Sequence, residues 1–253
     1  MGQLLTPHYI GAQLYTVREY LHSEIDLRQS LHKISDMGYQ KVQMSAVGAM
    51  EGENPQLTPK DFRNYLNEFN LNCPGAHTSL ERLNDHFDSE VEKLREVGCS
   101  FIAIGWVPPE FVDTEEGRAK FEADVMEISR RLEGTEINFA IHNHAHDTKF
   151  LDDLTLRLNI GFEVDVYWAA KAGCDPCELL LRHAGKVGLI HLKDIPASGE
   201  GFAAVGKGIL NFAAITEAGL KAGVEHFVVE QDVCPGDPFD CLRESFNYLK
   251  YGD

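Results

Sequence analysis

Short β-rich runs recur along this chain about every thirty residues, and no other feature of the sequence limits the fold as much. They are YIGAQLYT (9–16), QKVQMSA (40–46), NCPGAHT (72–78), SFIAIGW (100–106), INFAIHN (137–143), IGFEVDV (160–166), VGLIHLK (187–193) and HFVVEQD (226–232), eight in all. Between them the apolar residues fall at helical spacing. Leu27, Leu31, Ile34 and Met37 form one stripe, and Phe87, Val91, Leu94 and Val97 another. Gly38, Gly98, Gly134, Gly185 and Gly223 each follow a helical pattern and precede a strand, where a left-handed terminator suits glycine. The expected architecture is therefore α/β, a single (β/α)8 TIM barrel over residues 1–253, a length usual for that fold. A doubly wound open sheet would use fewer strands and carry a glycine-rich turn after the first, which GAQLYTVREY lacks.

Composition narrows the partners. Lys and Arg total 23 against 40 Asp and Glu, a net charge of −17 that repels a phosphate backbone and an anionic bilayer alike. Neither nucleic acid nor membrane is expected as a partner; a homo-oligomer is compatible with the sequence. No apolar run approaches the span of a bilayer, and the start lacks the basic and apolar stretches of a secretory signal, so the expected location is cytoplasmic. MGQLLT fits a loose myristoylation pattern, but no basic cluster follows it, and it is read as chance. One C-x-x-C occurs among the six cysteines, at CDPC. Asp175 and Pro176 there read better as the cap and first residue of a helix, so the thiols are expected to be reduced.

A barrel of this kind places its chemistry at the C-terminal ends of its strands. The polar residues there are Gln13, Gln43, His77, Trp106, His142, His144, Asp165, His191, Lys193, Glu230 and Asp232. Strands five to eight each end in a metal-ligand type: His142, Asp165, His191 and Glu230. Mixed imidazole and carboxylate donors suit Mn²⁺, Zn²⁺, Co²⁺ or Fe²⁺ better than Ca²⁺. One divalent ion is expected, Mn²⁺ first, with Zn²⁺ or Co²⁺ next. In IHNHAHD, strand alternation puts His142, His144 and His146 on one side, but same-face residues stand about 7 Å apart, so one ion takes only one of them. Lys193, two residues beyond His191, falls on the same face and within reach of substrate oxygens. His146 is read as solvent-facing.

GAQLYTVR, FAIHNHAHD, GFEVDVYWAAKAGCDPCELL, LIHLKD followed by VGKGILNF, and VVEQD occur in barrel order. Together they make the chain resemble the xylose-isomerase-like TIM barrel family of sugar phosphate isomerases/epimerases and inosose-dehydratase-like proteins, over nearly its whole length. The resemblance implies a divalent metal on His142, Asp165, His191 and Glu230 that grips two oxygens of a small carbohydrate and stabilises an enediolate. It favours His142 over His144 as the fifth-strand ligand, because relatives carry a glutamate there. His142 in place of that glutamate, and Gln43 where a glutamate often ends the second strand, depart from a two-carboxylate epimerase. Glu230, His144 and His77 are left as candidate bases, with Glu230 and His144 preferred, and Gln13, His77, Trp106 and Lys193 as substrate contacts.

The expected function is thus a metal-dependent isomerase or epimerase of a small sugar or keto-sugar. A dehydratase or keto-sugar lyase on the same site and a non-catalytic sugar-binding barrel are its rivals. A DNA-repair endonuclease of this barrel type would need further metal ligands and a basic groove. GFAAVGKG (201–208) has phosphate-loop spacing but no following Ser or Thr. It is read as the loop after strand seven, with Lys207 near substrate, and an unphosphorylated substrate is preferred.

Overall fold

Eight parallel strands, each inside one of the runs above, form the centre of the computed structural model, which describes residues 2–252. They are β1 (Ile10–Gln13), β2 (Lys41–Gln43), β3 (Gly75–Thr78), β4 (Phe101–Ile104), β5 (Asn138–His142), β6 (Gly161–Glu163), β7 (Leu189–Leu192) and β8 (His226–Val229). Two four-stranded arcs, β2-β1-β8-β7 and β3-β4-β5-β6, carry the continuous ladders. Single-residue bridges join them at two seams, Lys41 to Asn72 and Met44 to Ala76 on one side, and Asp165 to His191 on the other. The ring is closed in chain order, as expected of an α/β TIM barrel.

Helices cover the outside because their apolar stripes have nowhere else to be buried. Leu27, Leu31 and Ile34 of helix Glu24–Asp36 are fully buried, while Met37 just beyond it is half-buried against the core. Helix Phe87–Val97 buries Phe87, Val91, Leu94 and Val97. A fully buried side chain of this kind contributes about 1.5–3 kcal/mol, so the period alone decides which face turns inward. Gly98 ends that helix at φ 87°; a Cβ there would lie 1.9 Å from the Arg63 guanidinium, which donates to the Val97 carbonyl at 2.5 Å. The last helix, Pro238–Tyr251, seals the barrel against its start, with the amides of Leu4 and Leu5 donating to the Leu249 carbonyl. Asp175 caps helix Pro176–Arg182 through the amides of Cys177 and Glu178, as its sequence suggests, and all six cysteines are free thiols. Among the described residues no helix is long and apolar enough to cross a membrane.

The loop after β7 is organised by one carboxylate. Asp194, fully buried, accepts four backbone N–H groups: Ile195 and Leu210 on Oδ1 at 2.8 and 3.1 Å, and Gly206 and Gly208 on Oδ2 at 3.0 and 2.8 Å. A Cβ on Gly208 would stand 2.1 Å from the Ile195 carbonyl oxygen, so the close wrap requires glycine. Asp194 is thus committed to the loop rather than to Lys193, and Lys207 is exposed and does not line the cavity at the barrel mouth, where a substrate contact was expected.

Candidate active site

Local geometry brings the four strand-end ligand types to one place. His142 closes β5, His191 lies inside β7, and Glu230 directly follows β8, its amide donating to the Leu192 carbonyl at 3.1 Å. Asp165 is held from two sides: its amide donates to Asn143 Oδ1 at 2.8 Å, and its carboxylate caps helix Val166–Lys171 by accepting the Trp168 amide at 2.9 Å. Ligand atoms of His142, Asp165, His191 and Glu230 all lie within 4.8 Å of one another, and all four residues are buried. His191 Nδ1 stands 2.7 Å from Glu230 Oε2, and His142 Nε2 3.8 Å from Asp165 Oδ2. Asp165 Oδ2 is buried without a hydrogen-bond partner. Two imidazoles and two carboxylates converging this closely fit a borderline divalent ion.

A lysine ammonium group lies against the carboxylate oxygens of this cluster. Lys193, almost fully buried, places Nζ 3.1 Å from Asp165 Oδ2, 2.8 Å from Glu230 Oε2 and 2.9 Å from Asp232 Oδ2. Burial opposes ionisation of Glu230, but Lys193 and His191 outweigh it and hold its carboxyl well below the usual range. Asp165 goes the other way, pushed up to about 6 because burial outweighs the same two cations. Burial also disfavours a charged His191, yet Glu163 and Glu230 raise it to about 10. Burial lowers His142 to about 3, with Glu163 opposing and the adjacent His191 and His77 adding to the fall. In this arrangement His191, Lys193, Glu163 and Glu230 are charged and His142 is neutral.

Above the cluster opens a cavity of about 790 Å³, lined by His77, His142, His144, Lys193, Glu230 and Asp232 at its floor and by Trp106, Phe111 and Tyr15 higher up. Its wall carries six carboxylates (Glu81, Asp85, Glu110, Asp124, Glu230 and Asp232) against two ammonium groups, Lys120 and Lys193. Such a wall repels a phosphate. Trp106 is 49% exposed, its ring fixed by edge contact with His144 at 4.6 Å between centroids. His144 is kept neutral, lowered to about 2 by burial and the neighbouring His142 and Lys193. His146 is exposed, as expected, and its Nε2 is 2.9 Å from the Val107 carbonyl oxygen.

The cavity wall therefore gathers His77, Trp106, His144, Lys193 and Glu230, but not every predicted contact. Gln13 is fully buried beneath it and donates to Gln43 Oε1 at 2.9 Å, so a direct substrate contact gives way to a place in an internal hydrogen-bond chain. Glu163 was missed. Its side chain meets His77, His142 and His191 under the floor, and with them it makes a second group of potential ligand atoms within 4.8 Å of one another. The signal was present: Glu163 and Asp165 are two apart in GFEVDV and share a strand face.

The family model described as xylose isomerase-like TIM barrel matches residues 31–251. No curated protein matches the chain in sequence. Among solved structures, a sugar phosphate isomerase/epimerase from Parabacteroides distasonis is similar with a TM-score of 0.80 at 18% identity, covering 97% of this chain and 94% of that one. The probable 3-DHS dehydratase AsbF from Bacillus anthracis gives 0.74 at 14%, covering 95% and 98%. An IolI protein with a bound zinc atom gives 0.70 at 14%, covering 95% of each chain. At these identities the likeness is one of fold.

Proposed function

The chain belongs to the xylose isomerase-like TIM barrel family, and from that premise we propose that it is a divalent-metal-dependent isomerase or epimerase of a small, unphosphorylated sugar or keto-sugar. The observation that carries this reading is the convergence of His142, Asp165, His191 and Glu230 at the floor of an acid-walled cavity. These four residues would hold one ion, Mn²⁺ or, as in the IolI structure, zinc. When bound, it supplies Lewis acidity to a substrate carbonyl and lowers the cost of removing the neighbouring proton.

The remaining work falls to side chains of this protein. Glu230 is ionised and so is in the form of a base; Lys193 and His191 both approach its Oε2, and Oε1 is the oxygen assigned to the substrate C–H proton. Lys193 keeps a fixed ammonium where negative charge grows on a substrate oxygen. His144, a neutral imidazole on the cavity wall, hands a proton between substrate oxygens, and His77 and Trp106 orient the ring. Hydroxyl-rich neutral ligands suit a wall whose carboxylates accept hydrogen bonds, and the excess of acids disfavours a phosphorylated one.

A dehydratase or lyase is the second reading, favoured by the absence of a fifth-strand carboxylate. With His142 there, one ionised base at Glu230 suffices to start an elimination, whereas an epimerase needs a base on one face of the carbon to remove the proton and an acid on the other to return one. The test is exchange of a substrate C–H in deuterated water, followed by NMR with the Mn²⁺-loaded protein and a panel of ketoses and keto-glycosides. Exchange that is lost in Glu230→Gln supports the assignment. A variant that keeps its metal and still exchanges excludes Glu230 as the base.

A further inference from the structure

Glu163 is buried, is 2% exposed, and is not part of the cavity wall, yet it touches three of the histidines at the barrel mouth. Its Oε1 lies against His77 Nε2, 3.3 Å from His142 Nδ1 and 3.1 Å from His191 Nε2. Its Oε2 accepts from Gln43 Nε2 at 2.9 Å. Gln43 Oε1 then accepts twice, from Gln13 Nε2 at 2.9 Å and from His191 Nε2 at 2.5 Å. On His142 and His191 the opposite ring nitrogens, Nε2 and Nδ1, face Asp165 and Glu230.

A neutral imidazole carries one N–H and one lone pair, and only the lone pair binds a metal. His191 Nε2 faces two acceptor oxygens and nothing that donates, so it must be an N–H. His142 Nδ1 faces the same carboxylate oxygen. We propose that Glu163 is a positioning residue that fixes a proton on Nδ1 of His142 and on Nε2 of His191, so that Nε2 of His142 is bare towards Asp165 and the proton that an arriving ion displaces from the charged His191 is the one on Nδ1, facing Glu230. Gln43 and Gln13 hold that carboxylate in place from behind. The lower group of His77, His142, Glu163 and His191 then holds protons, not an ion, because an ion there would need the opposite nitrogen of each shared ring. A metal-bound imidazole commonly donates its other N–H to a carboxylate; here one carboxylate serves two rings.

The consequence for metal affinity rests on the proposed function, but the proton positions do not, and the experiment separates the two. Long-range ¹⁵N–¹H spectra of the histidine-labelled full chain give each ring's tautomer, and Zn²⁺ competition with a chromophoric chelator gives affinity. In the zinc-loaded protein, His142 is expected to be Nδ1–H with Nε2 on the metal, and His191 Nε2–H with Nδ1 on the metal. Glu163→Gln is expected to lower Zn²⁺ affinity about 10–100-fold and to broaden or change those tautomer signals. Unchanged affinity and tautomers in the variant overturn the inference. So does a wild-type spectrum with His142 Nδ1 on zinc, which decides the matter even if the variant does not fold. If the wild-type protein takes up no Zn²⁺, the proposed function fails, and the ion-free spectrum still tests Glu163: His142 as Nδ1–H supports it, and His142 as Nε2–H overturns it.

Discussion

Replacing Lys193 with methionine keeps the length of the side chain and removes its charge from the middle of three carboxylates. Asp165, Glu230 and Asp232 approach Nζ at 3.1, 2.8 and 2.9 Å, with the lysine itself 2% exposed, so no water stands ready to take its place. Removing one partner of a buried ion cluster costs about 3–5 kcal/mol. For a chain of this size each kcal/mol lowers Tm by about 2–4 °C, so the expected loss is roughly 6–20 °C. The deficit should depend on pH in a definite direction. Asp165 is already raised to about 6 by burial, and loss of Lys193 raises it further. A carboxyl raised above its unfolded value burdens the fold when ionised and is relieved as pH falls through its folded value, so the variant should recover part of its loss between about pH 8 and pH 5. Urea unfolding at both pH values measures this, and added Mn²⁺ should stabilise the variant more than the wild type because the ion replaces the missing charge. A deficit under about 1 kcal/mol at neutral pH, or one that is the same at both, would refute the account of Lys193 as the resident counter-ion.

The histidines of IHNHAHD should separate on substitution. His142→Ala is expected to cost more metal affinity than the ~10–100-fold typical of losing an outer partner. His144→Ala should retain metal while turnover falls about 10²–10⁴-fold, and His146→Ala should change stability by no more than about 0.5 kcal/mol. Chelator titration and proton-exchange rates distinguish the three. Elemental analysis of the Mn²⁺-loaded protein should return one ion per chain, because the two groups of candidate ligands share His142 and His191. Asp194→Asn replaces one oxygen that accepts two amides and should cost about 3 kcal/mol, read as faster hydrogen exchange across residues 195–210.

The strands and their order were legible because each buried run is bounded by a helical pattern and a glycine, and a period of two versus 3.6 leaves little room for another assignment. Gly98 illustrates why: the left-handed turn and the Arg63 contact both forbid a side chain, so the residue type carries the geometry. Ligand types at the ends of β5 to β8 were legible for the same reason, since a strand end can only point into the mouth. What lay beneath the mouth was not. Gln13 looks like a substrate contact in sequence and Gln43 like the place of a missing second-strand glutamate, and only the register Gln13 to Gln43 across β1 and β2 turns them towards each other and Glu163. Lys193 was correctly placed on the inner face, but its three carboxylate partners come from the ends of two other strands, Asp165 after β6 and Glu230 and Asp232 after β8, and pairing at that range has no local pattern. Asp194, one residue on, finds most of its partners only where the chain returns at Gly206, Gly208 and Leu210.

The wrap of residues 195–210 around Asp194 amounts to an anion-binding loop supplied with its own anion. A carboxylate tethered a few residues from its amides competes at an effective concentration of millimolar order or more, which free inorganic phosphate must exceed before it can enter. The phosphate-like spacing of GFAAVGKG is therefore satisfied from within. It also means that the loop is closed before any ligand arrives. Phe202, carried by that loop, already stacks on Tyr167 at 4.8 Å and meets Trp168 edge-on, so this side of the barrel mouth is prepaid in entropy and substrate binding need not order it.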